Sequence, residues 1–147
     1  MNLKNYTSTV SVISSISRIE HRLAVAGATH IAKIYEEGGT GRPIGMIFQI
    51  KVNDFPMSFK LPAKADICFK VMWNEVRKPR PGTKENIRAQ ADRTAWKILS
   101  DWIDIQVAMI QLEQTEAIEV FLPYAYDGKT DKTLFEKMKQ ENFKLLA

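Results

Sequence analysis

The 147-residue chain contains a single cysteine, Cys68, and two histidines, His21 and His30. One thiol cannot form an intrachain disulfide, and it excludes a zinc site built from several cysteines. The histidines lie far from Cys68 in the sequence and show no ligand spacing, so we expect no bound metal and no cofactor. Because disulfides are rare in reducing compartments, this composition favours an intracellular, cytoplasmic location.

The chain also lacks an apolar run of membrane-spanning length, and its first thirty residues lack the basic-then-apolar pattern of a secretion signal. These absences predict a protein with no membrane partner. With 45% hydrophobic and 26% charged residues, the composition is typical of a globular protein with its own core. We expect a single domain over residues 1–147, with residues 1–6 and 141–147 as flexible tails.

Glycine is sparse, with seven residues, and none of them completes a nucleotide-binding loop. Gly128, Lys129 and Thr130 match the end of a phosphate-binding loop, but Pro123 occupies the position of its first glycine. The glycines between residues 38 and 45 precede a strand pattern, whereas a dinucleotide fingerprint requires a helix there. The glycines are therefore expected to serve turns and loops.

Apolar periodicity predicts an α+β fold, namely a three-stranded antiparallel β-meander packed with helices in the order α-β-β-β-α-α. The clearest strand is residues 44–52, in which Met46, Phe48 and Ile50 alternate with Gly45, Ile47, Gln49 and Lys51. The predicted elements are a helix capped by one of Thr7, Ser8 and Thr9 and ended by Gly27, strands at 30–35, 44–52 and 57–61, a helix over 63–76, a helix from Thr83 to about Ala117, and a short helix at 132–140.

The segment from Thr83 to about Ala117 has the longest helical pattern in the chain. Two apolar stripes run side by side along it, so its apolar surface is wider than one narrow seam requires. This width predicts a homodimer or another protein partner, with Trp96 and Ile103 at the partner interface. The first stripe comprises Ala91, Ala95, Ile98, Trp102, Ile105, Met109 and Leu112, and the second comprises Trp96, Leu99, Ile103, Val107 and Ile110.

Basic residues concentrate between the second predicted helix and the start of the long one, within a formal net charge of +4. Two prolines stiffen this stretch, and the free amides of a helix N-terminus favour phosphate. We therefore predict a non-catalytic nucleic-acid-associated protein that contacts phosphates rather than bases. The predicted binding residues, called the basic segment below, are Arg77, Lys78, Arg80, Lys84 and Arg88.

Parts of the sequence resemble two known groups of proteins. The topology and Gly82–Leu99 are similar to the double-stranded RNA-binding domain, although an extra helix follows the third strand and Glu85 replaces a lysine of that family. Five further stretches are GATHI at 27–31, the G-x-I-F-x-I strand at 45–50, FKLPAK at 59–64, RTAWKILSDWIDIQVAMI at 93–110 and VFLPYAYDGKTDKTLFEKM at 120–138. Through these stretches the chain as a whole resembles small uncharacterised proteins encoded by phages and prophages, which implies a role in replication, recombination or the blocking of host defence.

Two alternatives remain open at the level of sequence. A protein-binding inhibitor of a host defence complex would use Trp96 and the acidic end of the long helix, where Asp101 and Asp104 lie. A metal-dependent nuclease is the third hypothesis, because Gln49, Ile50 and Lys51 resemble the strand tripeptide of the PD-(D/E)xK family and Glu20 matches its helix glutamate. That family's strongly placed aspartate is missing, and Mg²⁺ needs such a carboxylate.

Overall fold

The computed structural model describes residues 4–147 and has an α+β architecture. The order of its main elements is the predicted α-β-β-β-α-α. None of the helices within residues 4–147 combines the length and apolar character needed to cross a membrane. The helices are α1 (Val12–Val25), α2 (Ala65–Asn74), α3 (Thr83–Gln111), α4 (Ala117–Phe121) and α5 (Leu134–Gln140), and the strands are β1 (Ala28–Tyr35), β2 (Pro43–Val52), β3 (Phe55–Pro62), β4 (Tyr126–Asp127) and β5 (Lys132–Thr133).

The chain packs into two compact units. The first, called the helical unit below, comprises the chain up to Arg22 together with Ala63–Ile105, and the second, called the sheet unit, comprises Leu23–Pro62 and Gln106–Ala147. The single domain over residues 1–147 stays a prediction. Residues 1–3 of the predicted N-terminal tail lie outside the described residues, and the predicted C-terminal tail is exposed and contains one 3-10 turn, Lys144–Leu146.

The sheet unit contains the predicted antiparallel meander, with β2 in the centre between β1 and β3. A two-residue turn joins β2 to β3, and both of its residues, Asn53 and Asp54, have positive φ angles of 50° and 69°. Asparagine and aspartate tolerate that left-handed conformation, which matches the twist of a tight hairpin. The turn sets the register in which Phe48 lies opposite Phe59.

Three phenylalanines form the centre of the sheet unit. Phe48 stacks on Phe59 with ring centroids 5.3 Å apart, and Phe121 of α4 meets Phe48 edge-on at 5.1 Å. All three side chains are at most 1% exposed. The alternation in 44–52 therefore identified the buried face of β2 correctly, since Met46 and Ile50 are buried beside Phe48.

A two-stranded hairpin, β4–β5, lies between α4 and α5, and the sequence predicted only a turn there. Asp127 organises it: its Oδ2 atom accepts from Lys137 Nζ at 2.8 Å and from Thr130 Oγ1 at 3.1 Å, and its Oδ1 atom accepts from the Lys129 amide at 2.9 Å. The hydrogen bond from Lys137 contributes most to lowering the pKa of Asp127 from 3.8 to about 2. The Gly128–Thr130 stretch thus serves a hairpin turn.

We expect Asp127→Asn to reduce the pH dependence of stability in acid. The folded pKa lies below the unfolded one, so the stabilisation from Asp127 is present above about pH 4 and is lost as the pH falls through about 2. Urea unfolding should show the variant less stable than wild type at neutral pH, with a difference that shrinks steadily as the pH falls from about 4 to about 2. Asp54→Asn controls for loss of an exposed carboxylate, and identical pH curves for Asp127→Asn and wild type would contradict the prediction.

In the helical unit, α1 begins later than the sequence suggests. The predicted caps Thr7, Ser8 and Thr9 precede the helix, and it is Ser11 Oγ that accepts from the Ser14 amide at 3.1 Å. A Ser11 cap satisfies a free amide of the first turn as the predicted caps would have done. Ile16 and Ile19 of this helix are buried.

Helix α3 ends at Gln111, six residues before the predicted boundary. The Gln114 amide donates to the Met109 carbonyl at 2.9 Å and the Glu113 amide donates to the Ile110 carbonyl at 3.1 Å. These are the two bonds of a Schellman cap, with Glu113 at the left-handed position (φ 60°) where glycine is usual. A capping box between Glu116 and Glu119 then starts α4.

Candidate functional site

The basic segment begins in the connection between α2 and α3 and continues into the first turns of α3. Arg77, Lys78, Arg80 and Lys84 are all exposed. Within residues 4–147 none of these four side chains has an ion-pair or hydrogen-bond partner. Two acidic residues, Glu75 and Glu85, lie in the same stretch. The four cations are therefore available to an anionic ligand.

The backbone of the connection is held in a defined turn. The Thr83 amide donates to the Arg80 carbonyl at 3.0 Å, and the Arg80 amide donates to Thr83 Oγ1 at 3.0 Å. Pro81 and Gly82 occupy the two central positions, and Gly82 has a φ of 85°, as a type II turn requires. The Thr83 hydroxyl thus closes this turn. Arg80 is consequently presented from a fixed backbone.

Arg88 differs from the other predicted binding residues. Its Nη1 atom lies 2.5 Å from Asp66 Oδ1, and its guanidinium lies 4.4 Å from the centre of the Phe69 ring. Both partners belong to α2, so Arg88 links α3 to α2. Such a pair plus a cation–π contact contributes about 1 kcal/mol to stability. Of the five residues predicted to bind phosphate, Arg88 is the one whose charge is already engaged.

The predicted partner interface on α3 requires a correction. Trp96 and Ile103 are both 0% exposed, so neither side chain can contact a partner while the chain keeps this packing. The width of the apolar surface is explained by burial, because both stripes contribute to the core: Trp96, Ile103 and Val107 of the second stripe are buried, and so are Ala91 and Ala95 of the first. The large apolar side chain of α3 that is exposed is Ile105, at 58%. Leu112, the first residue after the helix, is 70% exposed.

The two aspartates in the later part of α3 are engaged within the helical unit. Asp101 accepts from Lys97 Nζ at 2.7 Å, four residues earlier in the helix, and from Asn5 Nδ2 at 2.8 Å. Partial burial raises the pKa of Asp101, but these hydrogen bonds outweigh it and hold the pKa below its ordinary value. Asp104 lies 2.7 Å from Arg18 Nε. Both carboxylates thus stabilise contacts to the N-terminal part of the chain.

Gln49 and Lys51, the polar residues of the tripeptide in the nuclease hypothesis, lie on strand β2. Gln49 Nε2 donates to Ser58 Oγ at 3.2 Å across the β2–β3 pair, and Lys51 is exposed. In the part of the chain that the structure describes, no group of three or more His, Cys, Asp or Glu side chains is arranged to hold a metal ion. Burial, together with Asp92, raises the pKa of the Cys68 thiol, which disfavours the reactive thiolate.

A pocket that the sequence did not predict lies beside the basic segment, with a volume of about 370 Å³. Met72 on α2 and Ile87 on α3 provide apolar walls, and Glu75 and Val76 directly precede Arg77. Tyr6 completes the lining. The sequence analysis assigned Tyr6 to a flexible tail. The one sequence feature that could have indicated a role for this tail is that Tyr6 is the only Phe, Trp or Tyr before Tyr35.

The pocket and the four cations that have no partner within residues 4–147 lie in the same unit, and the cations begin one residue after the lining residue Val76. The site therefore offers an apolar surface and a group of positive charges in one short stretch of chain. Comparison with protein-family models, with curated proteins and with solved structures finds no match to this chain.

Proposed function

We propose that this chain is a non-catalytic nucleic-acid-associated protein that binds phosphates through the basic segment. The observation that supports the proposal best is that Arg77, Lys78, Arg80 and Lys84 are exposed and unpaired within residues 4–147. Exposed cations release the counterions of a nucleic acid when they meet its phosphates, and this release is the main source of such affinity. Arg88, which is held by Asp66, is assigned to stability.

The fixed turn supports a binding role more than a purely solvated one. Ordering a flexible loop on binding costs free energy, and a loop that is already ordered avoids that cost. Pro79 and Pro81 restrict the backbone, and the two hydrogen bonds between Arg80 and Thr83 close the turn. A guanidinium presented in this way can donate two parallel hydrogen bonds to one phosphate.

A phage or mobile-element setting, with a role in replication or recombination, is part of this proposal and rests on the resemblance described above. The inhibitor of a host defence system stays a second prediction. The surface predicted for such an inhibitor has to be revised, because Trp96 is buried and Asp101 is paired with Lys97. Ile105, which is 58% exposed, is an apolar residue of α3 that a protein partner could reach.

The proposal predicts binding that weakens steeply with salt. Each phosphate contact contributes about −0.9 to the slope of log affinity against log salt on duplex DNA, so four contacts give about −3.6. Removing two charges with Arg80→Ala/Lys84→Ala should reduce the slope to about −1.8. Fluorescence anisotropy with labelled duplex DNA, duplex RNA and single-stranded DNA over a salt series measures both values and identifies the preferred nucleic acid.

Lys139→Ala/Lys144→Ala is the matched control, because it removes two positive charges from exposed positions outside the basic segment. It should leave the slope at the wild-type value. A slope that falls equally in both double variants would reduce the proposal to general attraction by net charge. Absence of binding at about 50 mM salt, or affinity that does not change with salt, would overturn it.

A further inference from the structure

The pocket beside the basic segment has features that simple phosphate binding does not use. Its volume of about 370 Å³ lies at the lower end of the range for small-molecule sites. Its walls are mostly apolar, from Met72, Val76 and Ile87, and one side chain is aromatic, that of Tyr6. Tyr6 is about half exposed, at 49%. A flat apolar group could therefore reach the ring from solvent.

The chain on both sides of Tyr6 is anchored to α3. The carbonyl of Asn5 accepts from Thr94 Oγ1 at 2.9 Å, and its side chain donates to Asp101 at 2.8 Å. The carbonyl of Ser8 accepts from Gln90 Nε2 at 3.0 Å. Tyr6 thus lies between two residues that are both attached to α3. An aromatic side chain on an anchored segment loses little freedom when a ligand stacks on it.

The charges around the pocket indicate which part of a ligand would enter it. Glu75 lines the pocket, so a phosphate inside would meet a like charge. Arg77 and Lys78 follow the lining residue Val76 immediately. A ligand that places an uncharged flat group against Tyr6 and its phosphates against the cations satisfies both conditions. A nucleotide within a strand has this combination of groups.

We infer that the site binds single-stranded nucleic acid, with one unstacked base against Tyr6 in the pocket and the adjoining phosphates on Arg77, Lys78, Arg80 and Lys84. The inference rests on the proposed function and specifies its substrate. Proteins that bind single strands combine a positive surface with aromatic side chains on which bases stack. In a duplex the bases are stacked on each other, so only a strand with exposed bases can fill the pocket.

The sheet unit contains a second groove, which serves as a comparison. Its volume is larger, about 500 Å³, and its lining includes Leu122, Leu134, Asp127 and Lys137. Asp127 and Lys137 are its charged residues, and they form an ion pair with each other at 2.8 Å. This groove has no unpaired cation among its described lining residues to hold a phosphate. Of these two pockets, the one in the helical unit is therefore the one that adjoins cations with no partner within residues 4–147.

The test uses the full chain with three fluorescent probes of about twelve units. They are oligothymidylate, a duplex of the same length and a strand of abasic sugar-phosphate units, which keeps the phosphates and lacks bases. Tyr6→Ala should weaken binding of oligothymidylate about 5- to 150-fold, the loss of one stacked base. It should not change binding of the abasic strand, and Tyr6→Phe, which keeps the ring, should bind like wild type. Tyr35→Ala removes an exposed tyrosine of β1 and is the matched control.

The outcomes separate the inference from the proposed function. Equal affinity of Tyr6→Ala and wild type for oligothymidylate, with salt-dependent binding that Arg80→Ala/Lys84→Ala weakens, would overturn the inference and leave the proposed function standing. Equal affinity of wild type for the abasic strand and oligothymidylate would do the same. Absence of binding to all three probes at about 50 mM salt would overturn both. Thermal unfolding of Tyr6→Ala and Tyr6→Phe checks that neither effect arises from misfolding.

Discussion

Trp96→Ala is expected to lower the free energy of unfolding by about 3–5 kcal/mol, the usual cost of deleting a buried tryptophan. Trp96 is the largest side chain in the chain that is completely buried, at 0% exposure. Truncation leaves a cavity that the surrounding side chains can fill only in part. Since domains of this size have a total stability of about 5–15 kcal/mol, the loss should be evident as a large drop in the urea midpoint.

Ile105→Ala is the matched control on the same helix, because Ile105 is 58% exposed. It should change stability by less than about 0.5 kcal/mol, as most surface substitutions do. The pair also tests the corrected location of the partner surface. A Trp96→Ala protein with wild-type stability and weakened self-association would contradict the burial of Trp96 and restore the original prediction.

The two apolar stripes of α3 show what the sequence can and cannot predict. Their spacing correctly predicted one long helix with an unusually wide apolar surface. Periodicity gives the directions in which side chains point, but not which direction faces other elements. Trp96, Ile103 and Val107 of the second stripe are fully buried, whereas Ile105 of the first is exposed. The difference depends on tertiary packing, which a single sequence does not reveal.

Element boundaries were missed where the deciding interaction has no distinctive sequence. The Schellman cap after Gln111 has Glu113 at the position where glycine is usual, and the end of α3 therefore has no glycine to mark it in the sequence.

The candidate site shows the same limit of prediction from sequence. The cations of the basic segment were visible as a cluster, but the pocket is formed by Tyr6, Met72 and Ile87, which lie far apart in the sequence. Long-range contacts of that kind appear only in the fold.

Phe121→Ala is expected to cost about 3–5 kcal/mol in the sheet unit. Phe121 is 0% exposed and meets Phe48 edge-on at 5.1 Å and Phe59 at 6.0 Å. Edge-on aromatic pairs add about 0.5–1.5 kcal/mol to the free energy of burial. Helix α4 is only five residues long, and a helix that short is not stable by itself in water. Its anchorage therefore depends on Phe121.

Two further variants separate the contribution of the Phe121 ring contacts from that of its apolar volume and from the effect of changing a neighbouring side chain. Phe121→Leu keeps most of the apolar volume and removes the ring, so it should cost about 1–2 kcal/mol, close to the value of the aromatic contacts. Leu122→Ala changes the neighbouring side chain, which is 42% exposed, and should have little effect. Guanidinium unfolding measures all three, and hydrogen exchange of the β2 amides shows whether the loss reaches the sheet. If Phe121→Ala and Leu122→Ala were equally mild, α4 would be held by its capping box rather than by the phenylalanine cluster. Protection of the β2 amides in Phe121→Ala would then equal that of wild type.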